Sequence, residues 1–158
     1  MISIICPVFN EERYIEQCLK SIILQDIDKN TIEVLFIDGM STDRTRSIIQ
    51  VYTEKYSFIR MIDNVNRTVP YALNIGIKES RGDIIIRIDA HSYFPPNFVS
   101  TLVNYLIALN ADNVGAVCIT DVVNKNMKTL AIKEVLMSKF GVGNSLFRIG
   151  VKTVKEVD

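Results

Sequence analysis

Apolar residues in this chain fall into short unbroken runs, separated by stretches in which they recur every three or four positions. Ile2–Val8 (ISIICPV), Ile32–Asp38 (IEVLFID) and Ile84–Ile88 (IIIRI) are runs of strand length, rich in β-branched residues on both parities, as in strands covered on both faces. Phe58–Ile62 (FIRMI) is a shorter run of the same kind. Between the first two, Glu11–Gln25 sets Ile15, Cys18, Leu19, Ile22 and Ile23 on one helical face, with Asn10 as its N-cap. Ser41 or Thr42 is expected to cap a second helix running to about Tyr56, with Ile48, Ile49 and Tyr52 inward. After a polar loop, Asp63–Val69, Pro70 suits the first turn of a helix reaching Glu79, and Gly82 its C-cap. Phe98, Leu102, Tyr105, Leu106 and Leu109 mark a further helix, Asn113–Val123 a strand, and Met127–Met137 a weakly patterned helix. The rest of the chain is Gly-punctuated and has no clear period.

Strands alternating with helices predict an α/β fold, a mostly parallel central sheet with helices on both faces. On such sheets ligands sit beyond the carboxyl ends of the strands. That edge collects Pro7-Val8-Phe9-Asn10-Glu11 after the first strand and Asp38 to Asp43 after the second. Asp89 and His91 follow the Ile84–Ile88 run, with Pro95 and Pro96 turning the chain into the next helix. A Gly-rich phosphate loop is missing where a dinucleotide site or a P-loop would need one. An acidic edge facing a phosphorylated ligand needs a cation between them. A divalent metal held by Asp89 would bridge to a pyrophosphate and neutralise it.

Composition narrows the classes. The 158 residues carry 18 basic and 18 acidic side chains, so no basic excess points to nucleic acid. The N-terminus lacks the pattern of a signal peptide, and no stretch of about 20 apolar residues would cross a bilayer. Cys6, Cys18 and Cys118 form no CxxC pair, and three thiols close no disulfide framework; they read as thiols in a reducing, cytoplasmic setting.

The segments CPVFNEERYIEQCLKSI, EVLFIDGMSTDRT, ALNIGIKESRGDIIIRIDAH and PPNF, in this order and spacing, resemble the N-terminal half of family 2 glycosyltransferases of the GT-A (Rossmann-like, three-layer) fold. They resemble most the bacterial exopolysaccharide, succinoglycan-type branch, with D-A-H in place of D-x-D. The resemblance implies that Pro7, Asn10 and Glu11 form the nucleotide-side loop, and that Asp38 holds the base or ribose. It places Asn74 and Gly76 on a helix over the donor, and gives Asp89 and His91 the metal and diphosphate site. His91 would ligate manganese or hydrogen-bond the diphosphate. Gly39-Met40 departs from the common D-D-G-S-T-D, so only Asp38 receives a role there.

Each residue also has a plainer reading: Asp38 as an Asx-turn, Glu11 and Asp43 as acids favouring a helix N-terminus, His91 as a solvent-facing loop residue. Arg67 is either a phosphate or base contact or a solvated loop arginine. Arg87 is expected to pair with Asp89 or Asp38, because a charge in a buried strand needs a partner. Asn144 and Arg148 fit a substrate loop or ordinary loop chemistry.

The implied activity is metal-dependent (Mn2+ or Mg2+), inverting transfer of a sugar from a nucleotide-diphosphate sugar, UDP-linked in preference, to a glycan or lipid-linked acceptor. Alternatives are a non-catalytic nucleotide-sugar-binding fragment and a nucleotidyltransferase. Residues 1–125 are expected to form the donor-binding core, and 126–158 the start of a truncated acceptor-side region. No residue matches the family's general base; Asp112, Asp121, Glu134, Glu156 and Asp158 are the acids that follow. The chain is therefore expected to bind a nucleotide diphosphate with metal but to transfer sugar slowly or not at all. Self-association through a bare edge is expected, and association with the inner face of the membrane only through a missing C-terminal part.

Overall fold

The computed structural model describes residues 1–122, 124–151 and 153–156. Contacts divide the chain into two compact units, Met1–Asn104 and Tyr105–Asp158. The first holds β1 (Ile2–Val8), α1 (Ile15–Ile23), β2 (Ile32–Asp38), α2 (Thr45–Lys55), β3 (Ile59–Asp63), α3 (Val69–Glu79) and β4 (Ile84–Arg87), and α4 (Phe98–Ala108) starts within it. The four strands form one parallel sheet in the order β3-β2-β1-β4. β1 and β2 pair along their whole length, from Ile2 opposite Ile32 to Val8 opposite Asp38.

The two-sided apolar runs work as expected. Ile4, Cys6 and Val8 of β1, with Val34 and Phe36 of β2, face a core closed by Ile15, Cys18, Leu19 and Ile22 of α1, Ile49 of α2 and Val99 of α4. Ile5, Leu35 and Ile37 face the other way, onto Ala72, Leu73 and Ile75 of α3. Cys6 and Cys18 are buried free thiols, and burial pushes the Cys6 thiol well above its ordinary value. Cys118 is half-buried.

Close approach explains two glycines. A Cβ on Gly76 would meet Ile5 Cγ2 at 2.5 Å, so α3 lies directly on β1. A Cβ on Gly82 would meet Met1 O and Ser3 N, both at 2.7 Å. Gly82 is therefore not the C-cap of α3. Ser80 caps that helix, and its Oγ donates to Gly76 O at 2.6 Å.

At the amino ends of the strands a buried polar knot ties the chain together. Glu33 Oε1 accepts from Ser3 Oγ at 2.7 Å and from the Arg81 N–H at 2.5 Å, and Gly82 N–H donates to Ser3 Oγ at 2.9 Å. Arg60 Nη1 lies 3.4 Å from Glu33 Oε2. Burial pushes the Glu33 carboxyl up, but the bonds from Ser3, Arg81 and Arg60 outweigh it and hold it below its usual range.

Several expectations are corrected. β4 is an edge strand among the described residues and is not covered on both faces as its apolar run suggests: Ile85 is 44% exposed and Arg87 is exposed. Residues 113–122 form no strand, and Val123, the end of that expected element, lies outside the described residues. The second unit is helical: α5 (Met127–Leu136), α6 (Lys139–Val142) and α7 (Leu146–Ile149), the last two in the stretch that showed no period. Asn126 and Thr129 close a capping box on α5. Among the described residues no helix is long and apolar enough to cross a membrane.

Candidate functional site

The carboxyl ends of β1, β2 and β3 each run into a tight loop containing one non-glycine residue in the left-handed region: Asn10 (φ 55°), Met40 (φ 62°) and Arg67 (φ 61°). Such residues cost of order 1 kcal/mol or more and persist where surrounding bonds hold them. The β1–α1 and β2–α2 loops supply those bonds. Asn10 N–H donates to Ser41 Oγ (2.9 Å), and Thr42 N–H donates to Asn10 Oδ1 (2.8 Å). Glu11 N–H donates to Thr45 Oγ1 (2.7 Å), and Glu12 N–H to Asp43 Oδ2 (3.1 Å). The polar side chains expected to cap their own helices instead bridge two loops about 30 residues apart. Asn10 is therefore not the N-cap of α1, which starts at Ile15 without a side-chain cap, and neither Ser41 nor Thr42 caps α2. Asp43 is a turn acid whose Oδ1 also accepts from Thr45 N–H at 2.9 Å. Burial raises its carboxyl, yet the bonds from Thr45 and Glu12 hold it below the usual range.

Asp38 belongs to this scaffold. It is fully buried. Its Oδ1 accepts from Ser41 Oγ (2.6 Å), and its Oδ2 from Ser41 N–H (3.0 Å) and Arg46 Nη1 (2.5 Å). Arg46 reaches Asp63 as well (2.8 Å). Asn64, buried beside it, donates from N–H to Asp38 O (2.7 Å) and from Nδ2 to Thr68 O (3.0 Å), which shapes the loop carrying Arg67.

These loops and the end of β4 enclose a cleft of about 230 Å³. Pro7, Phe9, Glu11, Asn64, Arg67, Thr68, Ala72, Arg87, Asp89, Ala90 and His91 line it. Of the residues singled out in the sequence, Pro7, Glu11, Arg67, Asp89 and His91 thus come together from the ends of three strands, β1, β3 and β4. Exposed Asn10, buried Asp38 and Asn74, exposed on α3, do not line it. Phe9, 45% exposed, offers an aromatic face, and Gly39 packs so close that a Cβ would sit 3.3 Å from the Phe9 ring and from Arg67 O.

Two polar contacts lie at the cleft, one ion pair and one hydrogen bond. Arg87 Nη2 lies 3.2 Å from Asp89 Oδ1, so the strand arginine orients the acid two residues on. His91 Nδ1 lies 3.1 Å from Glu11 Oε1. Behind them Gln25, which sequence reading missed inside an amphipathic helix pattern, fixes the segment after His91. Its Nε2 donates to Pro95 O (2.8 Å), and its Oε1 accepts from Val99 N–H (2.9 Å).

Among the described residues no three His, Cys, Asp or Glu side chains cluster tightly enough to cage a metal alone. Asp89, Glu11 and His91 in one cleft suit instead a hard divalent cation that takes one or two protein ligands and fills its shell from phosphate and water. In the second unit Asp121 pairs with Lys133 at 3.1 Å. The Val122 N–H and the Lys133 charge hold its carboxyl below the usual range. Arg148 Nη1 lies 3.4 Å from Thr120 Oγ1. Asp158 lies outside the described residues.

Comparisons with known proteins agree with this layout. The family model for glycosyl transferase family 2 matches residues 3–152. A dolichyl N-acetyl-alpha-D-glucosaminyl phosphate 3-beta-D-2,3-diacetamido-2,3-dideoxy-beta-D-glucuronosyltransferase of Methanococcus voltae is 33% identical over 151 residues, covering 92% of this chain and 47% of that protein. The succinoglycan biosynthesis protein ExoA of Rhizobium meliloti is 30% identical over 149 residues, covering 93% of this chain and 44% of that protein. The chain thus spans less than half the length of both relatives. Among solved structures, the Pyrobaculum calidifontis mannosyltransferase PcManGT, in complex with GDP-Man and Mn2+, superposes with a TM-score of 0.65 at 27% identity, over 77% of this chain and 35% of that one. Staphylococcus aureus TarS 1-349, in complex with UDP-GlcNAc, superposes with a TM-score of 0.62 at 22% identity, over 75% of this chain and 37% of that one, which speaks for the fold alone. Parallel sheet, superposition on a solved relative and a family match along nearly the whole sequence lead to one conclusion: the chain belongs to glycosyl transferase family 2 and has the GT-A fold.

Proposed function

We propose that the cleft binds a nucleotide-diphosphate sugar and that the protein transfers the sugar to a hydroxyl of a glycan or lipid-linked acceptor in cell-surface or extracellular polysaccharide synthesis. The observation that carries this reading is the meeting of Arg67, Arg87, Glu11, Asp89 and His91 around one cleft at the carboxyl edge of a parallel sheet. Phe9 offers a face for the base, and Arg67 a cation for the phosphates. Asp89, oriented by Arg87, together with His91 would hold Mn2+ or Mg2+, which when bound supplies charge neutralisation to the departing diphosphate. The acceptor oxygen attacks the anomeric carbon as the bond to the diphosphate breaks; one in-line displacement inverts that centre. The base that takes the hydroxyl proton is not among the assigned residues.

In this reading residues 1–125 serve the donor and 126–158 begin the acceptor side. The free buried thiols are consistent with a cytoplasmic site of action, at the inner face of the membrane for a longer protein. Self-association remains part of the proposal, its support being exposed apolar side chains such as Phe140 and Met127.

Calorimetry with UDP, GDP and UTP, each with Mn2+ and with chelator, tests the donor site. Metal-dependent diphosphate binding is expected, and Asp89→Ala should remove its metal-dependent part, a loss of several kcal/mol. Triphosphate preference, or unchanged metal dependence in Asp89→Ala, would overturn the reading. Turnover of a nucleotide-sugar panel measures how far this chain alone completes the reaction.

A further inference from the structure

His91 is the only histidine in the chain, and its partner is fixed. The Nδ1–Oε1 contact of 3.1 Å joins the loop after β1 to the loop after β4, across 80 residues of sequence. Glu11 has little freedom. Its N–H donates to Thr45 Oγ1 (2.7 Å), and its carbonyl accepts from the N–H groups of Tyr14 and Ile15 (both 2.9 Å). Its side chain is 22% exposed, whereas the imidazole is 60% exposed.

An ionised carboxylate only accepts hydrogen bonds. A neutral imidazole has one donor nitrogen and one acceptor nitrogen, and the bond made by one decides the role of the other. With Oε1 facing Nδ1, the proton belongs on Nδ1, and Nε2 keeps its lone pair. We propose that Glu11 is a positioning residue that sets the tautomer of His91, holding the proton on Nδ1 and leaving Nε2 as an acceptor. A role for Glu11 at the helix N-terminus alone would make no such demand on the ring.

The consequence separates two roles left open by the sequence. A neutral His91 with a lone pair on Nε2 can ligate a cation but cannot donate to a diphosphate oxygen from that nitrogen. This last step rests on the donor-site reading above; the tautomer does not.

The test uses the whole chain, metal-free, labelled with [15N]histidine at pH 8.5, where a neutral ring is the ordinary form. Two-bond proton–nitrogen correlation gives the tautomer from a single set of signals, since there is only one histidine. Wild type should show a protonated Nδ1 and a bare Nε2, in roughly tenfold excess or more over the other tautomer, as a hydrogen bond to a charged group allows. Glu11→Gln, whose amide can either accept from Nδ1 or donate to it, should weaken the preference. Glu11→Ala, judged folded by its amide spectrum, should lose it. A protonated Nε2 in wild type overturns the proposal without recourse to any variant, and so does an unchanged pattern in folded Glu11→Ala. Failure of nucleotide binding with the wild-type tautomer as described would instead overturn the donor-site reading alone.

Discussion

Glu33→Ala removes an acid that no functional argument needs, and its cost follows from what it leaves behind. The Glu33 side chain is 5% exposed and satisfies Ser3 Oγ at 2.7 Å and the Arg81 N–H at 2.5 Å, with Arg60 farther off at 3.4 Å. Two hydrogen bonds to a charged acceptor contribute about 1.5–3 kcal/mol each, so about 3–6 kcal/mol is at stake. The exposed side of Arg60 and local relaxation pull the expectation to the lower end, about 3 kcal/mol, still a large part of a typical 5–15 kcal/mol. Urea unfolding followed by far-UV circular dichroism should show the loss, with Glu33→Gln near half of it because the amide oxygen can still accept both bonds made to Oε1 but without the charge. The pH dependence has a definite sign. The folded carboxyl lies below its ordinary value, so its contribution is present above the unfolded value of about 4.3 and is lost as pH falls through the folded one. Wild type should therefore lose stability below about pH 4 that Glu33→Ala does not have to lose. A loss under about 1 kcal/mol for the alanine variant, or parallel pH profiles for the two proteins, would refute the idea that this buried carboxylate anchors the turn into β4.

Other outcomes follow from the same geometry. Asp38→Ala should cost about 1.5–3 kcal/mol of unfolding free energy by taking the charged acceptor from buried Ser41, Arg46 keeping Asp63, measured by denaturant titration; unchanged stability with weakened nucleotide affinity would return Asp38 to a ligand role. Gly76→Ala should destabilise by about 1–3 kcal/mol because Ile5 must move from beneath α3, which the thermal midpoint will show. Arg67→Ala should leave stability within about 0.5 kcal/mol yet weaken binding of a nucleoside diphosphate in calorimetry by about 1.5–3 kcal/mol. Gln25→Ala should cost about 1–3 kcal/mol, with hydrogen exchange rising at Val99, whose N–H loses its acceptor.

The sheet was legible where burial is two-sided. β1 and β2 have the bounds their apolar runs suggest, because both faces are packed and even their polar residues near the ends, Ser3, Glu33 and Asp38, are buried. The same rule misled at Ile84–Arg87, whose outer edge is unpaired among the described residues although the composition is that of a covered strand. Caps were misread for one reason: Asn10, Ser41 and Thr42 have the chemistry of helix caps, but they bond across two loops. Local sequence cannot report a bond made across 30 residues. The cleft acids Glu11 and Asp89 and the imidazole of His91 were found because strand ends on a parallel sheet must converge. Asp38 received a ligand role from the resemblance, and the sequence carried no sign that its carboxylate would be buried on Ser41 and a half-buried Arg46. Gln25 carried no signal, since its partners Pro95 and Val99 lie 70 or more residues on.

The left-handed residues Asn10, Met40 and Arg67 have a bearing on how this protein can change. An L-residue in that region carries a penalty of about 1–2 kcal/mol, which glycine would largely avoid. Mutational drift towards greater robustness therefore has an easy opening at Met40, where the side chain takes no part in the hydrogen bonds of the loops. At Asn10 and Arg67 the same substitution would delete a bridging amide or a cleft cation. Variants selected only for heat resistance should accumulate glycine at Met40 first. Variants selected for turnover should keep the strained residues at the other two positions, so that the tension between durability and chemistry is written in three loop positions.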